Sequence, residues 1–339
     1  MTTKMEAEKL YELPDSTPLL SDHAKLRARW DEDGVLYFKN VIDKDAIINV
    51  HREYLARLKE VGVVAPGETK PIWNGLDRLD GKRARPIGDD IWRGLVLSPS
   101  FDAVVRSFLG EAPAWVPIVV HRAAPPLDPA KIPADKFIAG HQDGVYNYGI
   151  DFITCWVPLM EIDDEVGGLA VVPGSHHEAH YGKQPGVAGV KRTGVFPDSA
   201  WRRPNYRPGD LLMFHSMTAH AGLPNRSDKI RLSVDIRFLP GSVAKPVVGT
   251  VIAFDGTKMQ MQVESGERLD LAVDEATIIR GPKGTPLLGE ARANVLFPGA
   301  AVIAVPDGNG RAKLVRSVSR KYLDLPATWF VELPPNWVS

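Results

Sequence analysis

Five short apolar runs follow one another between residues 113 and 240: AWVPIVV (114–120), DFITCWVPLM (151–160), GLAVVPGS (168–175), DLLMFHS (210–216) and RLSVDIRFL (231–239). Clusters of Pro, Gly and Asp separate them, and no helical period links one to the next. Runs this short cannot form stable helices of their own. Punctuated in this way, they close as an antiparallel β-sandwich or barrel.

The flanks read differently. DHAKLRARWDEDGVLYFKN (22–40) is a helical stretch stopped at Asp33-Gly34 and followed by the strand-like VLYF. DKDAIINVHREYLARLKEVG (43–62) opens on Asp43 and Asp45 and stops at Gly62, with Ile47, Ile48, Leu55 and Leu58 as its expected apolar stripe. Residues 64–90 read as loop, and DIWRGLVLSPSFDAVVRSFLG (90–110) returns to helix. A second change of texture falls at LPGSVAKP (239–246). Beyond it Met259, Met261 and Val263 alternate with Lys258, Gln260 and Gln262, and Asp255-Gly256 signals a hairpin. The expected organisation is a leader over 1–24, a main β-domain over 25–240, and a small β-meander or barrel over 241–339.

Charge excludes some partners. With 41 Lys+Arg against 42 Asp+Glu the formal net charge is −1, so there is no broad pull towards nucleic acid or an anionic membrane. No apolar run reaches the roughly 18–20 residues that span a bilayer. The lone Cys155 cannot form an internal disulfide, and the start MTTKMEAEKLYELPDSTP is polar. Both point to a reduced, cytoplasmic setting.

The chemistry concentrates at HQDGVYNYG (141–149). On an extended strand His141 and Asp143 leave the same face, so an imidazole nitrogen and a carboxylate oxygen can converge on one point. Candidate third ligands are His176, His177 and His180 in PGSHHEAH, and His215 and His220 in RPGDLLMFHSMTAHAG. His215 lies inside an apolar strand, whereas His220 ends it, where a side chain can reach a pocket at the strand end. Two His and one carboxylate with open coordination positions suit non-haem Fe(II), and a zinc hydrolase can use the same set. Eleven residues past His220, RLSVDIRF puts Arg231 and Ser233 on one strand face. A guanidinium fork beside a hydroxyl is a natural holder for a carboxylate.

These pieces together resemble the phytanoyl-CoA dioxygenase family of Fe(II)/2-oxoglutarate oxygenases. The matching segments are WDEDGVLYFKNVIDKDAIINVHREYLARL, HQDG, CWVPLMEID, GGLAVVPGSH and RPGDLLMFHSMTAHAGLPNRSDKIRLS, in that order, over roughly 25–240. The resemblance implies a double-stranded β-helix, a cupin-like jelly roll, with flanking helices. By position, His141, Asp143 and His220 look like the iron ligands. Arg231, with Ser233 beside it, looks like the anchor of the distal 2-oxoglutarate carboxylate, and Trp156 resembles a tryptophan lining the co-substrate pocket. PGSH resembles a structural turn, which sets His176 aside. Leu169 stands where some members carry a polar co-substrate contact, so the residues at the C1 end of 2-oxoglutarate are open.

The implied reaction consumes O2 and 2-oxoglutarate, releases succinate and CO2, and oxidises a small-molecule substrate of natural-product or amino-acid type; ascorbate is the expected reductant in vitro. Retention of Asp143 favours hydroxylation or desaturation over halogenation, in which relatives replace that carboxylate with a small residue. Asp143→Ala is expected to abolish turnover and leave the fold intact. Substrate contacts are expected from Trp73, Asn74 and Arg78 and from Tyr146 and Tyr148, while Lys82, Arg83 and Arg85 read as a solvated loop face. Two other classes stay open: a metal-dependent hydrolase of cupin-like fold, and a non-catalytic jelly-roll binding protein. Residues 241–339 lie outside the resemblance and offer a surface for self-association.

Overall fold

The computed structural model describes residues 12–76, 94–132, 138–146, 152–178, 196–243, 246–263, 266–281 and 287–317. Ahead of the β-rich part run α1 (His23–Asp33), β1 (Val35–Phe38), α2 (Lys44–Glu60) and α3 (Pro99–Leu109). The Asp43 side chain caps α2 by accepting from the Asp45 amide, while Arg57 and Lys59 sit in its last turn, where the helix dipole favours cations. The buried stripe of α2 is Ile47, Val50, Tyr54 and Leu58. Ile48, expected inside, faces solvent at 54% exposure, because the stripe follows the 3–4 residue step from Ile47 rather than its neighbour.

The next strands are β2 (Pro113–Ala124), β3 (Ile138–His141), β4 (Ile153–Pro158), β5 (Gly168–Val171), β6 (Leu211–His215), β7 (His220–Leu223) and β8 (Arg231–Pro240). They form a five-stranded sheet, β1-β6-β4-β8-β2, and a three-stranded one, β3-β7-β5. From β2 to β8 each successive strand changes sheet. That alternation is the winding of a double-stranded β-helix, and the fold is a cupin-like jelly roll with flanking helices.

Period-two patterning sorts the faces of the large sheet. Leu232, Val234, Ile236 and Phe238 of β8, with Ile153, Cys155 and Val157 of β4, pack outward against Trp30 of α1, Tyr54 of α2 and Phe101 of α3. Their alternate neighbours Trp156, Leu212 and Phe214 face the inside of the roll with Tyr206.

Residues 246–317 add a six-stranded sheet in the order β11-β10-β9-β13-β14-β12, from β9 (Val247–Phe254), β10 (Lys258–Val263), β11 (Arg268–Ala272), β12 (Ile278–Arg280), β13 (Ala301–Pro306) and β14 (Ala312–Ser317). Asp255-Gly256 turns β9 into β10, with Gly256 at φ 102° and the Asp255 carboxylate accepting from the Thr257 and Lys258 amides. Met259, Met261 and Val263 are buried in this sheet's own core with Leu271 and Val302. Four other residues of the sheet, Val248, Ile303, Val305 and Leu314, belong to the main core instead. Apolar packing is therefore continuous from α2 to β14.

Candidate metal centre and co-substrate pocket

His141 ends β3, and Asp143 begins a one-turn helix, α4 (Asp143–Tyr146). The two ligand types therefore do not share an extended strand, as the spacing alone implied; a strand-to-helix turn brings them together. Gly144 sits in the turn: its amide donates to Ser216 O at 2.7 Å, and a β-carbon there would have to displace the Met217 side chain. Between the two ligands, Gln142 points the other way and donates to Met217 O at 2.6 Å, tying the turn to the loop before β7.

His220 opens β7 directly across from His141 in the β3–β7 register. His141 Nε2 lies 3.2 Å from Asp143 Oδ1, and His220 Nε2 lies 3.8 Å from the same oxygen. One ligand atom from each of the three residues falls within 4.8 Å of the others, the only such group among the described residues. His220 Nδ1 is 3.0 Å from Thr218 O, which can only accept; Nδ1 therefore carries the proton and Nε2 offers its lone pair. Burial, and then the neighbouring His141, push the His220 pKa down to about 4, so this imidazole is neutral at ordinary pH. Two neutral-capable imidazoles and one carboxylate on one face form the donor set that fits Fe(II) with positions left open.

The second oxygen of Asp143 is held from behind. Thr154 Oγ1 donates to Oδ2 at 3.1 Å and Arg237 Nη2 donates at 2.8 Å. Thr154 and Arg237 are direct cross-strand partners on β4 and β8. Burial pushes the Asp143 pKa up, but Arg237 and the two imidazoles outweigh it, and the carboxyl is held well below its ordinary value. Sequence reasoning missed both supports. It also missed Asp235, which takes Arg122 Nε and Nη2 on its Oδ2 at 3.0 and 2.8 Å.

Arg231, Ser233, Asp235 and Arg237 thus line the inner face of β8. Arg231 Nη1 donates to Gly168 O at 3.2 Å and Leu223 O at 3.0 Å, which fixes the guanidinium at the far end of β5 and β7. Gly168, at φ 110°, presents its carbonyl from a backbone conformation that favours glycine. Arg231 Nε and Ser233 Oγ are fully buried and have no hydrogen-bond partner among the described residues. Burial, then repulsion by Arg122, lower the Arg231 pKa to about 10, which still leaves it charged at neutral pH. Leu223, which Arg231 grips, is three strand residues from His220, or about 10 Å. A short dicarboxylate chelating a metal at one end reaches across that gap, and the orphaned donors fit its far carboxylate.

The other expected site residues are placed as follows. Trp156 stands on the inner face opposite Asp235, its ring centroid 4.6 Å from that of Tyr206. Trp73 Nε1 donates to Leu76 O at 3.0 Å, and Asn74 Nδ2 to Gly62 O at 2.8 Å, both within their own loop region. Tyr146 ends α4; Arg78, Lys82, Arg83, Arg85, Tyr148 and His180 lie outside the described residues. His176 and His177 stack at 3.9 Å beside His215, away from the triad, and Ser175 of the same turn accepts from the Ala219 amide at 2.8 Å.

The family model described as phytanoyl-CoA dioxygenase matches residues 30–233. The chain belongs to the phytanoyl-CoA dioxygenase family. As a member of it, the protein is an Fe(II)/2-oxoglutarate-dependent oxygenase, and its His-Asp-His triad is intact. This dioxygenase is similar to 1-deoxypentalenic acid 11-beta-hydroxylase of Streptomyces arenae, 28% identical over 257 residues that cover 67% of this chain and 85% of the relative. The protein of the same name from Streptomyces exfoliatus is 28% identical over 251 residues, with the same coverage of both chains. Among solved structures it is similar to the epimerase SnoN in complex with Fe3+, alpha ketoglutarate and nogalamycin RO, at 20% identity and a TM-score of 0.45, covering 80% of this chain and 97% of that one. Among the described residues no helix is long and apolar enough to cross a membrane.

Proposed function

We propose that this dioxygenase hydroxylates a small natural-product molecule, with His141, Asp143 and His220 holding the iron and Arg231 and Ser233 holding the distal carboxylate of 2-oxoglutarate. The observation that carries this reading is the pair of orphaned buried donors, Arg231 Nε and Ser233 Oγ, facing the same interior as the triad. A hydrolase of the same ligand set has no use for them.

Iron held by these three residues would activate O2, the oxidant, one oxygen atom going to succinate as 2-oxoglutarate loses CO2 and the other being used to oxidise the substrate. The chain's own part is geometric and electrostatic. Asp143 turns one oxygen to the imidazoles while Thr154 and Arg237 occupy the other, so it serves as a single-oxygen ligand. Arg231, braced on two backbone carbonyls, fixes the depth at which the co-substrate sits. The aromatic interior around Trp156, Tyr206 and Phe214 keeps water out. Natural-product chemistry is supported by the names of the Streptomyces relatives. A cytoplasmic location, supported by the single buried free Cys155, belongs to this reading. So does pairing of copies through the carboxy-terminal β-region, where Leu288 and Phe297 stand exposed on the connection between β12 and β13, which sedimentation at two concentrations would test.

The decisive experiment is anaerobic addition of 2-oxoglutarate to the Fe(II)-loaded protein, followed by oxygen and succinate analysis. The reading expects a visible charge-transfer band before oxygen and succinate after it, both weakened at least about tenfold in Arg231→Gln. No band and no succinate in the wild type would refute it.

A further inference from the structure

We propose that Thr218 and Ser175 are positioning residues of the metal centre, holding one peptide plane so that its carbonyl aims His220; this rests on the oxygenase reading above.

The peptide between Thr218 and Ala219 has a carbonyl on one edge and an N–H on the other. The carbonyl faces His220 Nδ1 at 3.0 Å, and the N–H donates to Ser175 Oγ at 2.8 Å. A peptide group is planar and stiff, so whatever grips the N–H also sets the direction of the carbonyl. Ser175 is buried and fixed in turn, its hydroxyl donating to Val172 O at 2.5 Å. Thr218, also buried, anchors the plane from its other end. Its Oγ1 donates to Gly34 O at 2.8 Å, and its N–H closes a turn on His215 O at 2.8 Å. That turn bond fixes where Thr218 sits but not how the next peptide is rotated. The two hydroxyls fix the rotation, and with it which nitrogen of His220 is committed to a proton.

Both anchors lead back to the end of α1. Gly34 is its left-handed cap, and the amide of Gly174, in the PGSH turn with Ser175, donates to Asp33 O at 2.7 Å. The first two ligands use the same turn. Gln142 Nε2 and the Gly144 amide, from the residues on either side of Asp143, donate to Met217 O and Ser216 O. Residues 215–219 are thus a common reference for all three ligands. PGSH supplies no ligand; its part is to orient the third one.

A buried hydroxyl can also serve stability alone, and at Thr218 the two roles separate. Gly34 O accepts from the His215 amide as well, at 2.9 Å. Thr218→Val is nearly isosteric and leaves no carbonyl unpaired, so the urea midpoint should move little. What it frees is the peptide plane.

The test uses the full chain, labelled with 15N-histidine and free of metal. Long-range 1H–15N correlation reads the His220 tautomer, and titration with Co(II) then reads metal affinity. Wild type should show the Nδ1–H form. Thr218→Val should add the Nε2–H form and weaken Co(II) binding about tenfold, while Thr218→Ser keeps the wild-type tautomer and an affinity within about twofold. Ser175→Ala, which removes the acceptor at the other edge of the same peptide, should shift the tautomer in the same direction; it carries the test if Thr218→Val does not fold. A His220 tautomer unchanged in both variants overturns the proposal. So does weaker Co(II) binding without a tautomer change, or a Thr218→Ser protein as impaired as Thr218→Val. Wild-type protein that binds no Co(II), or binds it equally well after His220→Ala, would instead strike the parent reading.

Discussion

Arg237 Nη2 donates to Asp143 Oδ2 across 2.8 Å, although the two residues are 94 positions apart in the chain. Both are almost wholly buried, so the contact is a desolvated ion pair that aims the other carboxylate oxygen at the two imidazoles. Outer partners of this kind set metal affinity by orienting the ligand.

Arg237→Met should therefore lower affinity for Co(II), used as a probe ion, by about 10–100-fold while the triad itself is untouched. Titration of the Co(II) absorption bands reads this without turnover. Thr154→Val, which removes only the neutral donor, should cost less than Arg237→Met.

Asp143→Ala should abolish metal binding and should also lower stability, because it removes the carboxylate that Arg237 meets in the interior; breaking such a buried pair costs about 3–5 kcal/mol. Urea denaturation should show Asp143→Ala well below wild type, with Asp143→Ala/Arg237→Met recovering much of the loss. Equal stability of Asp143→Ala and wild type would contradict the buried pair.

Acid should destabilise the metal-free protein earlier than carboxylate protonation alone allows. His220 is held at about 4 in the fold against 6.5 for a free imidazole, so the unfolded chain binds the extra proton first. The contribution is whole above pH 6.5, shrinks as pH falls from there towards 4, and amounts to about 3 kcal/mol at most. Melting temperatures between pH 7.5 and pH 4.5 should fall with a slope that His220→Asn flattens.

Gly34 caps α1 at φ 63°, and a β-carbon there would collide with the His176 ring. Gly34→Ala should cost about 1–2 kcal/mol for the left-handed backbone, plus the clash. In a His176→Ala background only the backbone part should persist, a difference that a double-mutant cycle isolates.

A chain ended after Pro240 should fold poorly. Val248, Ile303, Val305 and Leu314 of the last sheet are part of the main core, and their removal bares the apolar residues they cover. Soluble, monodisperse protein from that truncation would show the jelly roll to be self-sufficient.

The jelly roll was legible because turn residues and short apolar runs alternate along the chain, a strictly local signal. The triad was legible for the same reason, since HQDG and the His at a strand end are short patterns. Arg237 and Asp235 were not, although RLSVDIRF alternates polar and apolar over its whole length. On an antiparallel strand a polar face ordinarily means solvent. Only closure of the roll turns that face inward, and closure is a tertiary fact. The exposure of Ile48 was hidden likewise: Ile47 and Ile48 are equally apolar, and what selects one is where the sheet lies.

The strand that carries Arg231, Ser233, Asp235 and Arg237 lies between β4 and β2, both made well before it. On the ribosome those two strands emerge with a gap between them, and the ligands on β3 and α4 have no ordered backing until β8 fills it. Nearly a hundred residues must be synthesised after Asp143 before Arg237 can reach its carboxylate. Such long-range pairing is slow and leaves strand edges open meanwhile. A nascent chain stalled before β8 therefore lacks the strand that carries Arg237, and with it the backing of Asp143.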